Sequence, residues 1–249
     1  MLRQAGNEVL PLCGNTTPLH IKADESLLTA GDLEAEGILV RGLQEHFPGE
    51  AIRSEECGNL GEGSTLWVVD PIDGTSAFTE GLAHWGPTVG RYVDGKLSCG
   101  ALYLPRLNEF FYVDPSGAWM NQKLLAPLGD RKLPQVLYLP SRFHRYCETS
   151  FKGKGRCLGG TAAHLANIAR GAASGAFVAP GWSLWDTAAG LGLIEAVGGV
   201  AVRYPEGEPL DPVRDEGAAF LAGSPQLVAD FIQHQRVTIR SEGSLHART

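Results

Sequence analysis

The alternation of apolar and polar positions divides the chain into helices and strands of ordinary length. The apolar residues of the stretch 32–47 approximate one face of a helix, which predicts an amphipathic helix ending at Pro48-Gly49. Residues 66–70 (LWVVD) form a short apolar run instead, which predicts a buried strand closed by Pro71. The apolar face of the helix consists of Leu33, Ile38, Leu39, Leu43 and Phe47.

Turn sequences predict two hairpins in the first half of the chain. Asp94-Gly95 separates two apolar runs, and the DPSG sequence at 114–117 separates two more. Residues 1–21 contain a short predicted helix that ends near Pro11. We therefore predict helices packed on a largely antiparallel sheet.

The second half alternates strand and helix patterns, which is typical of an α/β layer. Two long helices are predicted at 161–175, where the last glycine ends the helix, and at 185–199. Ser224 is predicted to cap a final helix, and the polar tail at 236–249 is predicted to fray.

A change in composition suggests where the two halves meet. Residues 122–135 mix polar, glycine and proline residues between two regions of regular pattern, so they are the best linker candidate. We predict an α+β half over residues 1–130, carrying most of the candidate site, and an α/β half over residues 131–249.

Composition and charge exclude several classes of protein. Apolar residues make up 43% and charged residues 20%, which argues against a disordered chain. The net charge is −7 with no basic face, so we expect no nucleic-acid polymer as a partner. No apolar run is long enough to span a membrane, and no secretory signal is evident. The five cysteines lack metal-binding spacing, and we predict a cytoplasmic protein with free thiols.

The sequence DPIDGT at 70–75 is the first candidate for chemistry. Asp70 and Asp73 follow the predicted strand directly, Pro71 restricts the backbone, and Gly74 permits a close backbone approach. Two converging carboxylates repel each other unless a cation lies between them, and oxygen ligands suit Mg²⁺ or Mn²⁺ rather than zinc. Aspartate is also common in turns, so this pattern alone leaves both interpretations open.

Other acidic residues have ordinary alternatives when each is considered alone. Glu55 and Glu56 are adjacent acids of the kind that solvent normally covers. Asp32 fits the N-cap of the first long helix, and Asp186 fits the first turn of another, where it complements the helix dipole. Convergence of these acids on Asp70 and Asp73 is the alternative.

Five segments, taken together and in this order, resemble the inositol monophosphatase superfamily of Mg²⁺-dependent, lithium-sensitive phosphomonoesterases. The segments span most of the chain: LTAGD (28–32), SEE (54–56), WVVDPIDGTSAF (67–78), GGTAA (159–163) and WDTAAG (185–190). The resemblance implies a mixed α/β (α+β) fold with the layered αβαβα architecture of the sugar phosphatases. It also implies a homodimer.

The resemblance implies two or three bound Mg²⁺ ions, with Mn²⁺ as an alternative and Li⁺ as an inhibitor. Metal ions would neutralise the phosphate charge and lower the pKa of bound water. Asp70 would bridge two ions. The implied ligands are Glu55, Asp70, the backbone carbonyl of Ile72, Asp73 and Asp186.

The remaining roles also come from the resemblance. Backbone amides of Gly74 and Thr75 would hold phosphate oxygens. Asp32 and the Thr75 hydroxyl would orient a metal-bound water and help to deprotonate it. Residues on the substrate side would be Gly160, Thr161 and Ala162.

The identity of the phosphate ester stays open. Inositol-specific members carry a glutamate seven residues before the aspartate of the WD motif, whereas this chain has Ala179. The segment 141–144 resembles the 3′-phosphoadenosine 5′-phosphate phosphatase branch, and DGTSAF with GLAHWG resembles the histidinol-phosphate phosphatase branch. We predict a phosphomonoesterase for a small soluble phosphate ester, with these two branches as alternatives. A non-catalytic metal- or phosphate-binding protein on the same fold is the alternative from another class.

Overall fold

The computed structural model describes residues 1–22, 25–129 and 132–239. The helices in these ranges are α1 (Leu2–Val9), α2 (Ala30–His46), α3 (Thr75–Thr79), α4 (Phe143–Tyr146), α5 (Thr161–Ala169), α6 (Leu184–Ala196) and α7 (Pro225–His234). The strands are β1 (His20–Ile21), β2 (Leu27–Leu28), β3 (Ala51–Ser54), β4 (Gly58–Leu60), β5 (Thr65–Asp73), β6 (Gly86–Val93), β7 (Lys96–Leu104), β8 (Glu109–Asp114), β9 (Gly117–Met120), β10 (Lys123–Leu124), β11 (Val136–Tyr138), β12 (Cys147–Thr149), β13 (Lys154–Arg156), β14 (Gly175–Val178), β15 (Val200–Arg203), β16 (Phe220–Gly223) and β17 (Val237–Ile239).

The larger main sheet has eight strands in the order β10-β9-β8-β7-β6-β5-β3-β4. Its neighbours are antiparallel except for β3 and β5, which run parallel. Both predicted hairpins are confirmed, because β6 pairs with β7 and β8 pairs with β9. In the first turn, Asp94 has φ 48° and Gly95 has φ 76°, the backbone that a two-residue hairpin turn favours.

The smaller main sheet has five strands in the order β13-β11-β14-β16-β15. Strands β13, β11 and β14 run parallel, whereas β16 is antiparallel to both of its neighbours. The predicted alternation of strand and helix is therefore correct, although the resulting sheet is mixed rather than wholly parallel.

The helices and the two main sheets form five layers. Helices α1 and α2 pack on one face of the eight-stranded sheet, α5 and α6 lie between the two sheets, and α7 packs on the far face of the five-stranded sheet. Small residues let α5 and α6 approach closely, since a Cβ on Gly190 would lie 2.6 Å from the Leu165 side chain. This order of layers confirms the predicted αβαβα architecture.

The apolar face predicted for the first long helix is only partly right. Leu39 and Leu43 are buried, but the side chains of Leu33 and Phe47 are 48% and 37% exposed. Asp32 is buried instead, where its carboxylate has polar partners in Thr29 and Thr75.

Two element ends differ from the prediction. Helix α5 ends at Ala169 because Gly171, with φ 88°, turns the chain, while Gly175 begins β14. Pro71 does not close β5, which continues to Asp73 with an irregular register. Proline is tolerated here because the ladder is already interrupted at this point.

The ends of the later elements also shift. Helix α6 spans Leu184–Ala196 rather than 185–199. Strand β17 pairs with β12, so the prediction of fraying is wrong for Val237–Ile239, and residues 240–249 lie outside the described residues. Residues 122–135 include the short strand β10, and positions 130–131 are not described. The division into two halves stays a prediction. No helix within the described ranges is long and apolar enough to cross a bilayer.

Candidate active site

A cavity of about 240 Å³ lies where the end of β5 meets the first turns of α3, α5 and α6. Four of the predicted acidic residues line it, and they come from three separate stretches of the chain. Asp32 and Ala162 are not among its lining residues. The predicted site residues that do line it are Glu55, Asp70, Ile72, Asp73, Gly74, Thr75, Gly160, Thr161 and Asp186.

An irregular register at the end of β5 brings Asp70 and Asp73 to the same side. Asp70 lies opposite Thr88 and Asp73 lies opposite Gly86, so β5 has one more residue than β6 over this interval. Residues three apart on a regular strand point to opposite faces, whereas the extra residue lets both carboxylates face the cavity. The Ile72 amide donates to Asp70 Oδ1 at 2.9 Å and holds this bend.

Asp73 also binds the first turn of α5. Its Oδ1 accepts from the Thr161 amide at 2.8 Å, and its Oδ2 accepts from the Ala162 amide at 2.9 Å. A Cβ on Gly160 would lie 2.0 Å from Asp73 Oδ2, so only glycine permits this approach. Ala162 is fully buried, and its observed contact is this amide. Its role on the substrate side stays a prediction.

Asp186 fits both interpretations that the sequence left open, a residue that stabilises the start of a helix and an acid of the shared cavity. It is the third residue of α6, and its Oδ2 accepts from the Ser183 amide at 2.7 Å. The same side chain lines the cavity. It therefore stabilises the first turn of the helix and contributes negative charge to the site.

Asp32 is not the N-cap of α2, since Thr29 takes that position and Asp32 is the third helical residue. Its Oδ2 accepts from the Thr29 amide at 2.7 Å and from the Thr29 hydroxyl at 2.6 Å. The Thr75 Oγ1 lies 3.3 Å from Asp32 Oδ1 and 3.2 Å from the Ile72 carbonyl oxygen. Asp32 is fully buried, and Thr75 connects it to the cavity.

Burial and mutual repulsion disfavour the charged form of these acids. Burial, followed by repulsion from Glu55, Asp73 and Asp186, raises the pKa of Asp70 well above its ordinary value. Burial and the charge of Asp186 raise the pKa of Asp73 to about 8. Burial likewise raises the pKa of Asp186 to about 7 and that of Asp32 to about 6. The cavity is therefore a site where a cation would be stabilised.

The sequence analysis missed Lys22, which supplies positive charge beside the cavity. Its Nζ lies 2.7 Å from a carboxylate oxygen of Glu55 and 2.7 Å from one of Glu56. Burial favours the neutral amine, but these two contacts outweigh it and raise the pKa of Lys22 above its ordinary value. No local pattern pointed to this lysine, because β1 and the acidic pair meet only in the folded chain.

Glu36 is a second residue that the sequence analysis missed. Its Oε1 accepts from the amides of Glu56 at 3.1 Å and Cys57 at 3.0 Å, and from the Ser54 hydroxyl. These bonds hold the turn that carries Glu55. Its position one helical turn after Asp32 was the available signal, because residues four apart lie on the same helix face.

The donor set suits a hard divalent cation, although the acids do not yet form a ligand shell. In the described ranges, no group of three or more Asp, Glu, His or Cys side chains is arranged to hold a metal ion. Glu55 contacts Lys22, and each of the three aspartates of the cavity accepts a hydrogen bond from a backbone amide. Four acidic residues and Ile72 nonetheless line one cavity, and carboxylate and carbonyl oxygens are ligands that fit Mg²⁺ or Mn²⁺.

A larger cavity of about 630 Å³ lies between α6, α7 and β15. Its lining is mainly apolar, with Leu191, Val200 and Ile232 as examples. Such a lining offers little to hold a phosphate group, so we assign the candidate site to the acidic cavity.

Comparisons with known proteins agree with this fold. The sequence profile of the Inositol monophosphatase family matches residues 1–240. An inositol-1-monophosphatase of Bacillus subtilis is 29% identical over 246 residues, covering 91% of this chain and 90% of the relative. The Nus factor SuhB of Escherichia coli K12 is 27% identical over 254 residues, covering 94% and 92%.

A solved structure is similar over nearly the whole fold. A Thermotoga maritima IMPase superimposes with a TM-score of 0.82 at 24% identity, covering 93% of this chain and 92% of that one. This likeness shows that the two proteins share a fold. The chain belongs to the inositol monophosphatase family.

Proposed function

We propose that this protein is a Mg²⁺-dependent phosphomonoesterase that hydrolyses a small soluble phosphate ester. The observation that carries the proposal is the shared cavity: four carboxylates line it together with the backbone of Gly74, Thr75 and Gly160. Family membership supports a phosphatase, and the cavity supplies both negative ligands for cations and polar backbone for a phosphate group.

The backbone at Gly74 is suited to hold a phosphate oxygen. Gly74 has φ 88°, a conformation that favours glycine, and it precedes α3 directly. A Cβ at this position would lie 2.7 Å from the Gly160 nitrogen, so a side chain would separate the two loops. The amides of Gly74 and Thr75 would donate to the scissile phosphate.

Five groups would hold the cations. When bound, Mg²⁺ would neutralise the phosphate dianion and lower the pKa of water. This requires Glu55 to exchange its contact with Lys22 for a metal ion, while the aspartates can keep their amide contacts through additional lone pairs. The residues are Glu55, Asp70, Ile72 through its carbonyl, Asp73 and Asp186.

Asp32 and Thr75 would remove the proton of the attacking water. The Thr75 hydroxyl can donate to Asp32 Oδ1, which leaves an oxygen lone pair directed to a water molecule in the cavity. Burial raises the pKa of Asp32 to about 6, close enough to neutral pH for this carboxylate to accept a proton. The proton would pass from water to Thr75 Oγ1 as the hydroxyl proton moves to Asp32.

The choice of ester remains between three chemistries. Ala179 offers no carboxylate to bind the hydroxyls of a sugar or cyclitol, which argues against inositol 1-phosphate as the preferred substrate. Ser141 lines the cavity and begins the segment that resembles the nucleotide-directed branch. Histidinol phosphate is the other candidate. The homodimer and the cytoplasmic location stay predictions.

A non-catalytic role is the second candidate function. The observation that favours it is the cavity itself, where Glu55 contacts Lys22 rather than facing other acids at ligand spacing. A relative named as a Nus factor also raises the question of a regulatory role on this fold. Such a protein would bind metal or phosphate without turnover.

Hydrolysis of p-nitrophenyl phosphate with Mg²⁺ and with a chelator separates the two candidates. We expect phosphate release only with Mg²⁺, and its loss in Asp186→Asn. Release that is equal with the chelator, or absent with Mg²⁺, contradicts the proposal. A panel of inositol 1-phosphate, fructose 1,6-bisphosphate, histidinol phosphate and 3′-phosphoadenosine 5′-phosphate then ranks the substrates by kcat/KM, and millimolar Li⁺ should inhibit each reaction.

A further inference from the structure

An ion pair outside the cavity connects β3 to the loop before β16. Arg53 lies on β3, two residues before Glu55, and Glu216 lies in the loop before β16. The guanidinium donates from Nη1 to Oε2 at 3.0 Å and from Nη2 to Oε1 at 2.7 Å. The two side chains are 31% and 25% exposed, so solvent screens the pair only partly. A two-point contact fixes orientation as well as distance.

Glu216 extends this contact to α6. The amide of Leu184, the first residue of α6, donates to Glu216 Oε1 at 2.8 Å. The first amides of a helix have no partner within the helix, so an acceptor from elsewhere fixes where the helix begins. The Arg53 guanidinium also lies 4.8 Å from the centre of the Trp185 ring. Leu184 and Trp185, which contact Glu216 and Arg53, directly precede Asp186.

The other side of the pair is fixed by the large sheet. Arg53 lies opposite Val68 in the parallel pairing of β3 and β5, and the Glu55 amide donates to the Val69 carbonyl at 3.1 Å. Movement of Arg53 would therefore shift the strand end that carries Glu55. The ion pair connects the backbone around Glu55 to the backbone around Asp186.

We propose that Arg53 and Glu216 are positioning residues that set the separation of Glu55 and Asp186 and thereby the cation affinity of the cavity. The inference rests on the metal site of the proposed function. Neither side chain lines the cavity, so their effect passes through the two acids. Replacing one partner leaves the other without its ion pair at the start of α6.

The chain contains a matched control for this arrangement. Glu50, just before β3, accepts from Arg91 Nε at 2.8 Å and from Trp67 Nε1 at 2.7 Å. The Arg91 guanidinium lies 6.0 Å from the centre of the Trp67 ring, and the pair is 24% and 21% exposed. This is a second arginine, glutamate and tryptophan group at the opposite end of the same strand. Neither Glu50 nor Arg91 lines the cavity.

The test measures Mn²⁺ binding to the purified protein. Electron paramagnetic resonance reports the concentration of the free ion, from which the dissociation constant is obtained. We expect Arg53→Gln to raise the dissociation constant about tenfold, the scale of effects from residues that orient metal ligands. Arg53→Lys should restore only part of the affinity, because lysine keeps the charge but not the two-point contact. Arg91→Gln should leave Mn²⁺ affinity unchanged, even though both Gln variants lower the melting temperature.

Wild-type affinity in Arg53→Gln, or equal weakening in Arg91→Gln, would overturn the positioning role. If Arg53→Gln fails to fold, Glu216→Gln provides the same comparison, because its amide oxygen still accepts from Leu184. Phosphate release is measured in parallel. Wild-type protein that binds Mn²⁺ without turnover contradicts the proposed function, and the affinities still decide the positioning role. Wild-type protein that binds no Mn²⁺ overturns both.

Discussion

The first turns of α2 and α6 use the same local chemistry but differ in what surrounds them. Each helix has a hydroxyl residue at the N-cap and an aspartate three residues later. The Thr29 amide donates to Asp32 at 2.7 Å, and the Ser183 amide donates to Asp186 at 2.7 Å. Capping by a nearby acid is an ordinary way to start a helix.

The two aspartates nevertheless face different neighbours. Asp32 is fully buried and meets the Thr75 hydroxyl, whereas Asp186 lines the cavity with Asp70 and Asp73. In the proposed function, Asp32 accepts a proton and Asp186 binds a cation. A capping motif thus fixes where a carboxylate stands, while distant residues decide what that carboxylate can do.

The acceptors for the first amides also differ. In α2 the Thr29 hydroxyl accepts from the Gly31 amide at 3.1 Å, so the cap is local. In α6 the Leu184 amide donates to Glu216, which Arg53 holds from another strand. The start of α6 therefore depends on tertiary structure more than the start of α2 does.

The largest effect on activity should come from replacing Asp186, which lines the cavity. We expect Asp186→Asn to lower kcat about 1,000-fold at saturating Mg²⁺, because loss of a cation removes several kcal/mol of charge stabilisation from the transition state. Steady-state hydrolysis of p-nitrophenyl phosphate measures this. Glu34→Gln, an exposed acid on α2, is the control and should retain full activity. A small loss of activity in Asp186→Asn would contradict its proposed role as a metal ligand.

Asp32→Asn should lower kcat by about 100-fold, within the range of one proton-transfer group. Its Mn²⁺ affinity should stay that of the wild-type protein, because Asp32 reaches the cavity only through Thr75. Measuring kcat and Mn²⁺ binding on the same preparation tests the division of roles. A parallel loss of Mn²⁺ binding would erase the distinction between the two helix starts.

The pH dependence of stability should reveal the crowded acids in the absence of metal. The pKa of Asp186 is about 7 and that of Asp73 is about 8, both above the value of about 4 for an unfolded carboxyl. Between these values the native state binds more protons than the unfolded state, so these groups lower stability as pH rises from about 4 to about 8.

Thermal melting in a chelator measures this trend. The wild-type melting temperature should fall more between pH 5 and pH 8 than that of Asp186→Asn, which lacks one titrating acid. Added Mg²⁺ should raise the melting temperature most at pH 8, where the carboxylates are charged. Identical slopes for the two proteins would contradict the assignment of repulsion to Asp186.

The smallest expected effect is a change in stability when the N-cap residue of α2 or of α6 is replaced. Thr29→Ala should lower the free energy of unfolding by about 1 kcal/mol, since it removes the hydroxyl that accepts at the start of α2. Ser183→Ala should cost less, because Glu216 still accepts from the Leu184 amide and Asp186 still accepts from the Ser183 amide. Urea unfolding compares them, and a larger cost at Ser183 would reverse the comparison.

The sequence predicted the elements and the acids better than their ends and partners. The β6–β7 turn was readable because Asp94-Gly95 specifies its own backbone. The family motifs identified Glu55, Asp70, Asp73 and Asp186, which line one cavity. Local patterns of this kind carry their information within a few residues.

Other features depend on residues far apart in the chain. Lys22 contacts Glu55 because the end of β1 lies beside the turn after β3. The spacing of residues in the sequence does not predict that contact. The extension of β5 beyond Pro71 depends on its pairing with β6. Leu33 is exposed although its spacing fits the apolar face, because the packing of α2 selects which residues are covered.

The central claim is that the carboxylates of the cavity hold the cations that hydrolysis requires. Anomalous X-ray scattering from a crystal grown with Mn²⁺ and inorganic phosphate tests it most directly. We predict anomalous peaks between Asp70, Asp73 and Asp186, and beside Glu55, with phosphate against the amides of Gly74 and Thr75. A cavity without a peak, at Mn²⁺ concentrations that support phosphate release, would contradict the claim.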